Sequence, residues 1–263
     1  PLASGHVLEA GCGTGVEAVN LQRLAPGLVP YGVDISSVAL AEAVRYPDKG
    51  TATFHQAALE HLPFADEVFD IISSHEVLEH VDDPSVVLRE FSRVLKPGSI
   101  CVIATPNGAS LWADQLRQRV YRLFGRRGAP VGQDHTRPPS FWRREFARVG
   151  LVLERQIFDG AALEFQTYFA RASWMPWTSR VFEPLRVVPL VNLLLCDRVK
   201  FRLHKPGKEK GVPRGVAACC PLCFSSLGGT GGIVTCGRGH KFRKGAAGIV
   251  DFTAAAVDIG SDS

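Results

Sequence analysis

Residues 6–15 read His6-Val-Leu-Glu-Ala-Gly-Cys-Gly-Thr-Gly15, a short apolar run with one acid that feeds directly into a glycine-dense turn. Such a pattern predicts a β-strand delivering its carboxyl end to a ligand, because glycines permit a tight turn and close backbone approach. The helix expected from Val16 then points its free amides at whatever is bound. The spacing is G-x-G-x-G at Gly11, Gly13 and Gly15, with Glu9 two residues ahead of the first glycine. Val16 stands where the dinucleotide fingerprint needs its third glycine, which argues for a different nucleotide-like ligand.

Working outward, Val16 to Leu24 has apolar residues at helical spacing and stops at Pro26-Gly27. Leu28 to Val33 reads as a second strand closing on Asp34, the position from which doubly wound sheets grip a ribose. Asp34 also stands where it can cap the helix opening at Ser36 or Ser37, and the two roles are compatible. A helix over Ala39 to Val44, a β-branched strand over Thr51 to Gln56 and a buried parallel strand over Glu67 to Ser74 follow. Asp82-Asp83-Pro84 predicts a helix start whose apolar face is Val87, Leu88, Phe91, Val94 and Leu95, with a stop at Lys96-Pro97-Gly98 and a fifth strand over Ser99 to Thr105. This alternation of strand and helix predicts an α/β fold with a parallel sheet covered on both faces.

At 263 residues, 46% apolar and 21% charged, the chain has the composition of a globular protein with room for one large core and a small extra module. A formal charge of +4 permits an anionic partner without requiring one. No apolar run reaches membrane-spanning length; Pro189 and Asn192 interrupt the most apolar segment, Val187 to Cys196. The chain opens at Pro1 almost on the first strand, without Met and without any helix ahead of that strand, and the expectation is that the natural N-terminus is truncated.

Of seven cysteines, four crowd into residues 219–236 while Cys12, Cys101 and Cys196 stand alone, a distribution that predicts metal binding in a reducing cytoplasm rather than a disulfide framework. After a linker at 206–218, rich in Lys, Pro and Gly, comes Cys220-x2-Cys223-x12-Cys236-x3-His240. Two close ligand pairs joined by a short loop suit tetrahedral Zn2+, with Cys219 competing for the first position. So small a segment, 219–253, needs the metal's binding free energy to fold. Residues 254–263 read as a disordered tail.

Taken together, V-L-E-A-G-C-G-T-G, Y-G-V-D-I-S, L-P-F-A-D-E-V-F-D-I-I-S-S-H-E-V-L-E-H-V-D-D-P and the L-K-P-G turn resemble class I S-adenosylmethionine (SAM)-dependent methyltransferases of the broad group that includes ubiquinone-type enzymes. The resemblance is close over residues 6–108 and loose to about 205. It implies a Rossmann-like, doubly wound seven-stranded sheet over 1–205, its last strand, Arg198 to His204, antiparallel. By the same resemblance Glu9 orients the glycine turn and the methionine amino group, Gly11, Gly13 and Gly15 approach the cofactor, Asp34 takes the ribose hydroxyls and Ile35 packs on adenine. Where the family often has Asp, Ala58 has no carboxylate for the adenine amine, so the backbone of Leu59 becomes the expected contact. Ser74 faces the methionine end.

Segments 109–150 and 161–197 are then expected to build the substrate side or a lid. The first is arginine-dense, from Arg117 to Arg148, which suits either an anionic acceptor or a solvated face. His75 and His135 are the candidate bases, since imidazole titrates near neutrality; His80, four residues after Glu76, is expected on one helical face with it. The C-terminal segment resembles the zinc ribbons of rRNA guanine methyltransferases and of Trm-type activator subunits. Three readings stand: a methyltransferase for a small-molecule, quinone-like or lipid-linked acceptor; an RNA methyltransferase gripping RNA with ribbon and arginines; or a SAM-binding activator holding a protein partner through the ribbon.

Overall fold

A computed structural model describes residues 4–46, 50–110, 135–159, 193, 196, 198–208, 216–229, 231–245 and 248–253. Of the segments expected to build the acceptor side, 111–134 and most of 160–197 lie outside the described residues, as do much of the linker and the tail from 254.

Strand β1 (Gly5–Ala10) runs into α1 (Val16–Leu24), β2 (Leu28–Asp34), α2 (Ser37–Arg45), β3 (Thr53–Gln56) and β4 (Phe69–His75). Then come α3 (Pro84–Val94), β5 (Leu95–Pro106), a 3-10 turn at Gly108–Ser110, α4 (Pro139–Arg148), β6 (Val152–Asp159) and β7 (Arg198–His204). Four short strands close the described chain: β8 (Leu227–Gly228), β9 (Ile233–Cys236), β10 (Lys241–Lys244) and β11 (Val250–Asp251). The strand order is β6-β7-β5-β4-β1-β2-β3-β11-β10-β9-β8. Pairs β1–β2, β1–β4, β2–β3 and β4–β5 are parallel, and β7 runs antiparallel to both β5 and β6. The Rossmann-like sheet of seven strands is therefore present, with its antiparallel strand where the sequence places it.

Local chemistry sets the boundaries. Asp83 caps α3 by accepting from Ser85 N at 2.9 Å, with Pro84 in the first turn. Strand β5 starts four residues earlier than expected, because Leu95 pairs with Phe69 ahead of a register shift, so the Lys96-Pro97-Gly98 stop falls within the strand. Lys96 is buried and donates to Asp70 Oδ1 at 2.6 Å, while His6 N donates to Asp70 Oδ2 at 2.7 Å, so the buried charges are paired and hydrogen-bonded. On one face of the sheet α3 and α4 bring Phe91, Trp142 and Phe146 against Phe201. On the other, α1 and α2 bury Ala18, Leu40 and Ala43 with Phe54.

The sheet does not end at β3. Asp251 of β11 pairs in parallel with Gln56, and Phe252 N donates to Gln56 O at 2.7 Å. At the other end of the same segment Cys219 N donates to Pro63 O at 2.8 Å, and Ala218 bridges Phe64. The cysteine-rich unit thus holds residues 56–64 at both ends. Between the two contacts lies a run of rings: Phe64 stands edge-on to His55 (5.4 Å), Tyr31 (6.1 Å) and Phe69 (4.9 Å), and Phe252 lies against His55 and Phe242. Burial here pushes His55 down to about 4, so it sits neutral in the core. Arg93 fastens the outside, donating to Leu62 O and Phe64 O, pairing with Glu90 and Asp66, and stacking 4.6 Å over Phe224. Phe64→Ala is expected to cost about 3–5 kcal/mol of stability, read as a lower urea midpoint, since it empties a site shared by both parts of the sheet.

Candidate functional site

The strand order turns back at β1, which has β2 on one side and β4 on the other, so a crevice opens beyond the carboxyl ends of β1 and β4. Gly11, Gly13 and Gly15 line it with φ values of 77°, 50° and 73°, the left-handed region in which a side chain is strained. Gly11 N and Cys12 N donate to Val33 O at 2.8 and 3.0 Å. The Asp34 carboxylate finishes the brace, accepting from Gly13 N at 2.7 Å and Ser36 N at 2.8 Å. It is not the cap of α2; the Ser36 hydroxyl is, accepting from Ala39 N at 3.2 Å. Each Asp34 oxygen retains a second lone pair for a ligand hydroxyl.

Glu9 is 5% exposed, and its Oε2 has no hydrogen-bond partner. Burial first, then the charges of Glu17 and Asp34, push its carboxyl up to about 8, against a lowering contribution from the Ala18 N–H. A buried acid in this state is matched by a cation, and an amino-acid ammonium beside the glycine turn is such a group. Ser74 Oγ is likewise buried without a partner. Ile35 is 66% exposed, an apolar surface at the end of β2 on which a flat ring can rest. Ala58 sits in a turn closed by His61 N to Ala58 O at 3.2 Å and offers no side-chain acceptor. The Leu59 side chain is core, which leaves its backbone for a ligand.

His75 is the last residue of β4, paired with Ala104 of β5. Its Nδ1 lies 2.5 Å from Glu17 Oε2, and its Nε2 lies 3.5 Å from Ser73 Oγ. Glu17 escaped the sequence reading: an acid in a helix's first turn is common there, and no spacing links it to β4. His135 is exposed, its backbone N donating to Glu79 O at 2.9 Å, which lays residues 135–138 beside the turn after β4. The helix on which Glu76 and His80 are expected to share a face does not form. Residues 76–83 form turns, with His80 N donating to Val77 O at 2.9 Å and Glu76 at φ 53°. Among the described arginines, Arg143 engages Gln156, Arg148 engages Glu145 and Arg137 stacks 5.3 Å from Phe141.

A second cluster lies in the cysteine-rich unit. The ligand atoms of Cys220, Cys223, Cys236 and His240 all lie within 4.8 Å of one another. Cys220 Sγ to His240 Nδ1 is 3.3 Å, Cys236 Sγ to His240 Nδ1 is 3.4 Å and Cys223 Sγ to Cys236 Sγ is 3.6 Å. Tetrahedral zinc with bonds of ~2.0–2.3 Å has ligand–ligand edges of about 3.5–3.8 Å, so the donor set fits that ion. Cys219 is buried against Pro63 and Ser226, outside the cluster.

Residues 8–103 match the profile of a family described as a methyltransferase domain. The chain is 35% identical over 101 residues to the demethylmenaquinone methyltransferase of Chlorobaculum parvum, covering 38% of this chain and 40% of that one. It is 34% identical over 129 residues to the ubiquinone/menaquinone biosynthesis C-methyltransferase UbiE of Syntrophotalea carbinolica, covering 48% and 53%. The chain thus spans about half or less of the length of these curated relatives. The crystal structure of geranyl diphosphate C-methyltransferase from Streptomyces coelicolor superposes with a TM-score of 0.54 at 18% identity, over 77% of this chain and 74% of that one. A chain in the complex between the Haloferax volcanii Trm112 methyltransferase activator and a methyltransferase superposes at 0.53 and 22% identity, over 78% and 84%. At such identities the likeness is one of fold.

Glu9 gives a pH test. Its folded pKa of about 8 exceeds the ordinary value of 4.5, so the folded state holds a proton that the unfolded state releases, and Glu9 lowers stability as pH rises across that window. Glu9→Gln should therefore match the wild type near pH 4.5 and be increasingly more stable up to pH 8, as read by urea unfolding at several pH values.

Proposed function

We propose that residues 8–103, which match a methyltransferase domain, form a class I SAM-dependent methyltransferase domain, and that the chain methylates a small quinone-like or lipid-linked acceptor. One observation carries the cofactor assignment: the buried, unmatched Glu9 carboxylate stands beside a glycine turn braced by Asp34. Bound there, SAM supplies a methyl carbon on a sulfonium, already activated for in-line displacement. The chain's own contribution is to hold and orient. Glu9 receives the ammonium, Asp34 the ribose hydroxyls, the exposed face of Ile35 the adenine and the Leu59 backbone its edge, with Ser74 at the methionine end. Alignment of the acceptor against the methyl group then provides the main acceleration. The quinone-like acceptor class draws its support from the two quinone-pathway relatives. Of the arginines that the RNA reading invokes, Arg143 and Arg148 are engaged within the chain, and Arg117 to Arg127 lie outside the described residues.

We read Cys220, Cys223, Cys236 and His240 as zinc ligands and the ribbon as a brace acting within its own chain. The Haloferax volcanii complex joins a methyltransferase to a separate activator; here the ribbon belongs to the same polypeptide, and its β11 is committed to β3. That supports a role in steadying residues 56–64, which carry the adenine-side backbone, over a role in capturing a protein partner. No helix among the described residues is long and apolar enough to cross a membrane.

Calorimetry with S-adenosylhomocysteine should show binding that Asp34→Ala weakens at least 10-fold, about 1.4 kcal/mol. Tight NAD binding in its place would overturn the cofactor assignment. Methyl label supplied on SAM should enter naphthoquinol or lipid fractions in preference to RNA. Metal analysis should find one zinc per chain, and Cys223→Ser should lose it and lower the melting temperature; full stability without metal would refute the zinc site.

A further inference from the structure

We infer that Glu17 is a positioning residue that makes His75 a general base, and hence that the acceptor presents a hydroxyl which must lose its proton during transfer. This rests on the methyltransferase reading above and adds to it the chemical class of the acceptor atom. Helix α1 starts directly from the glycine turn, and its first turn places the Glu17 carboxylate 2.5 Å from Nδ1 of His75. A carboxylate there requires Nδ1 to carry the hydrogen, which leaves the lone pair of the neutral ring on Nε2. The contact of Nε2 with Ser73 Oγ, at 3.5 Å, is too long for a strong hydrogen bond, so a closer hydroxyl displaces it readily. Ser73 pairs across the sheet with Glu9. The imidazole, about one-third exposed, therefore stands two residues beyond the ammonium-binding carboxylate on the neighbouring strand, at the mouth of the crevice.

The arrangement has the parts of a base and its orienter. Nε2 takes the acceptor's O–H proton, and the oxygen pair freed in this way forms the new O–CH3 bond. The C–S bond breaks with its electron pair going to sulfur, leaving the neutral thioether. Glu17 stabilises the imidazolium until the proton passes to water. An acid in the first turn of α1 could serve only the helix dipole, but that role calls for no contact with β4, and a purely structural clasp would not move kcat while leaving KM and cofactor binding unchanged.

The test uses the full chain with two acceptors, 1-naphthol, un-ionised at neutral pH, and 2-hydroxy-1,4-naphthoquinone, already ionised. His75→Gln should lower kcat on 1-naphthol about 100-fold, within the range for general bases, and by less than 10-fold on the ionised acceptor. Glu17→Gln should lower kcat on 1-naphthol about 10-fold with KM little changed, Glu17→Asp should restore most of it, and the double variant should be no slower than His75→Gln. All should bind S-adenosylhomocysteine within about threefold of wild type, which shows the fold and cofactor site intact. Independently of turnover, nitrogen NMR of His75 should report hydrogen on Nδ1 in the wild type and a tautomer mixture in Glu17→Gln. A wild-type ring protonated on Nε2, or additive rate losses in the double variant, would overturn the inference. Binding of S-adenosylhomocysteine with transfer to neither acceptor would instead refute the quinone-like acceptor class, and the NMR result would then decide the dyad alone.

Discussion

The reversal of strand order at β1 is the constraint on which the rest depends. Because β2 and β4 flank it in parallel, the connection after β1 runs towards β2 while the one after β4 runs the other way towards β5, and the gap between them is filled by neither. The glycine turn, Glu9 and the end of β4 all inherit their positions from that geometry. Asp34 then fixes the turn by taking one N–H from it and one from the entry to α2. A single carboxylate thereby locks the loops that follow β1 and β2 to one another.

Much of this was legible in the sequence, for identifiable reasons. The bounds of α1, the Asp83 cap and the acid at the end of β2 are local signals, written in residues that touch one another. The cysteine and histidine spacing was equally direct, because two ligand pairs need only short loops. What stayed hidden depends on distant contacts. The Glu17–His75 pair joins a helix to a strand two crossovers away. The turn at 76–83 has helical spacing but is held by backbone bonds of its own. The start of β5 depends on Phe69 being available to pair with Leu95.

The ribbon illustrates the same limit at larger scale. Its cysteine and histidine cluster is readable residue by residue, whereas its place in the sheet turns on a two-residue strand, β11, and on the backbone of Gln56 and Pro63. An unpaired β3 would present bare N–H and C=O groups beside the rings of His55 and Phe64. The ribbon covers that edge, and Phe242, Phe252 and Ile249 extend both hydrophobic clusters across the junction.

That covering has a consequence for synthesis. The strand that shields β3 is about two hundred residues downstream of it, and β7 must enter between β5 and β6 before the opposite edge is complete. As the chain leaves the ribosome, the sheet therefore grows with both flanks open, and its sticky edge is sealed only when residues 250–252 emerge and the knuckles close. The docking of that late segment, rather than the rate of early folding, would set how long the open edge is exposed to aggregation.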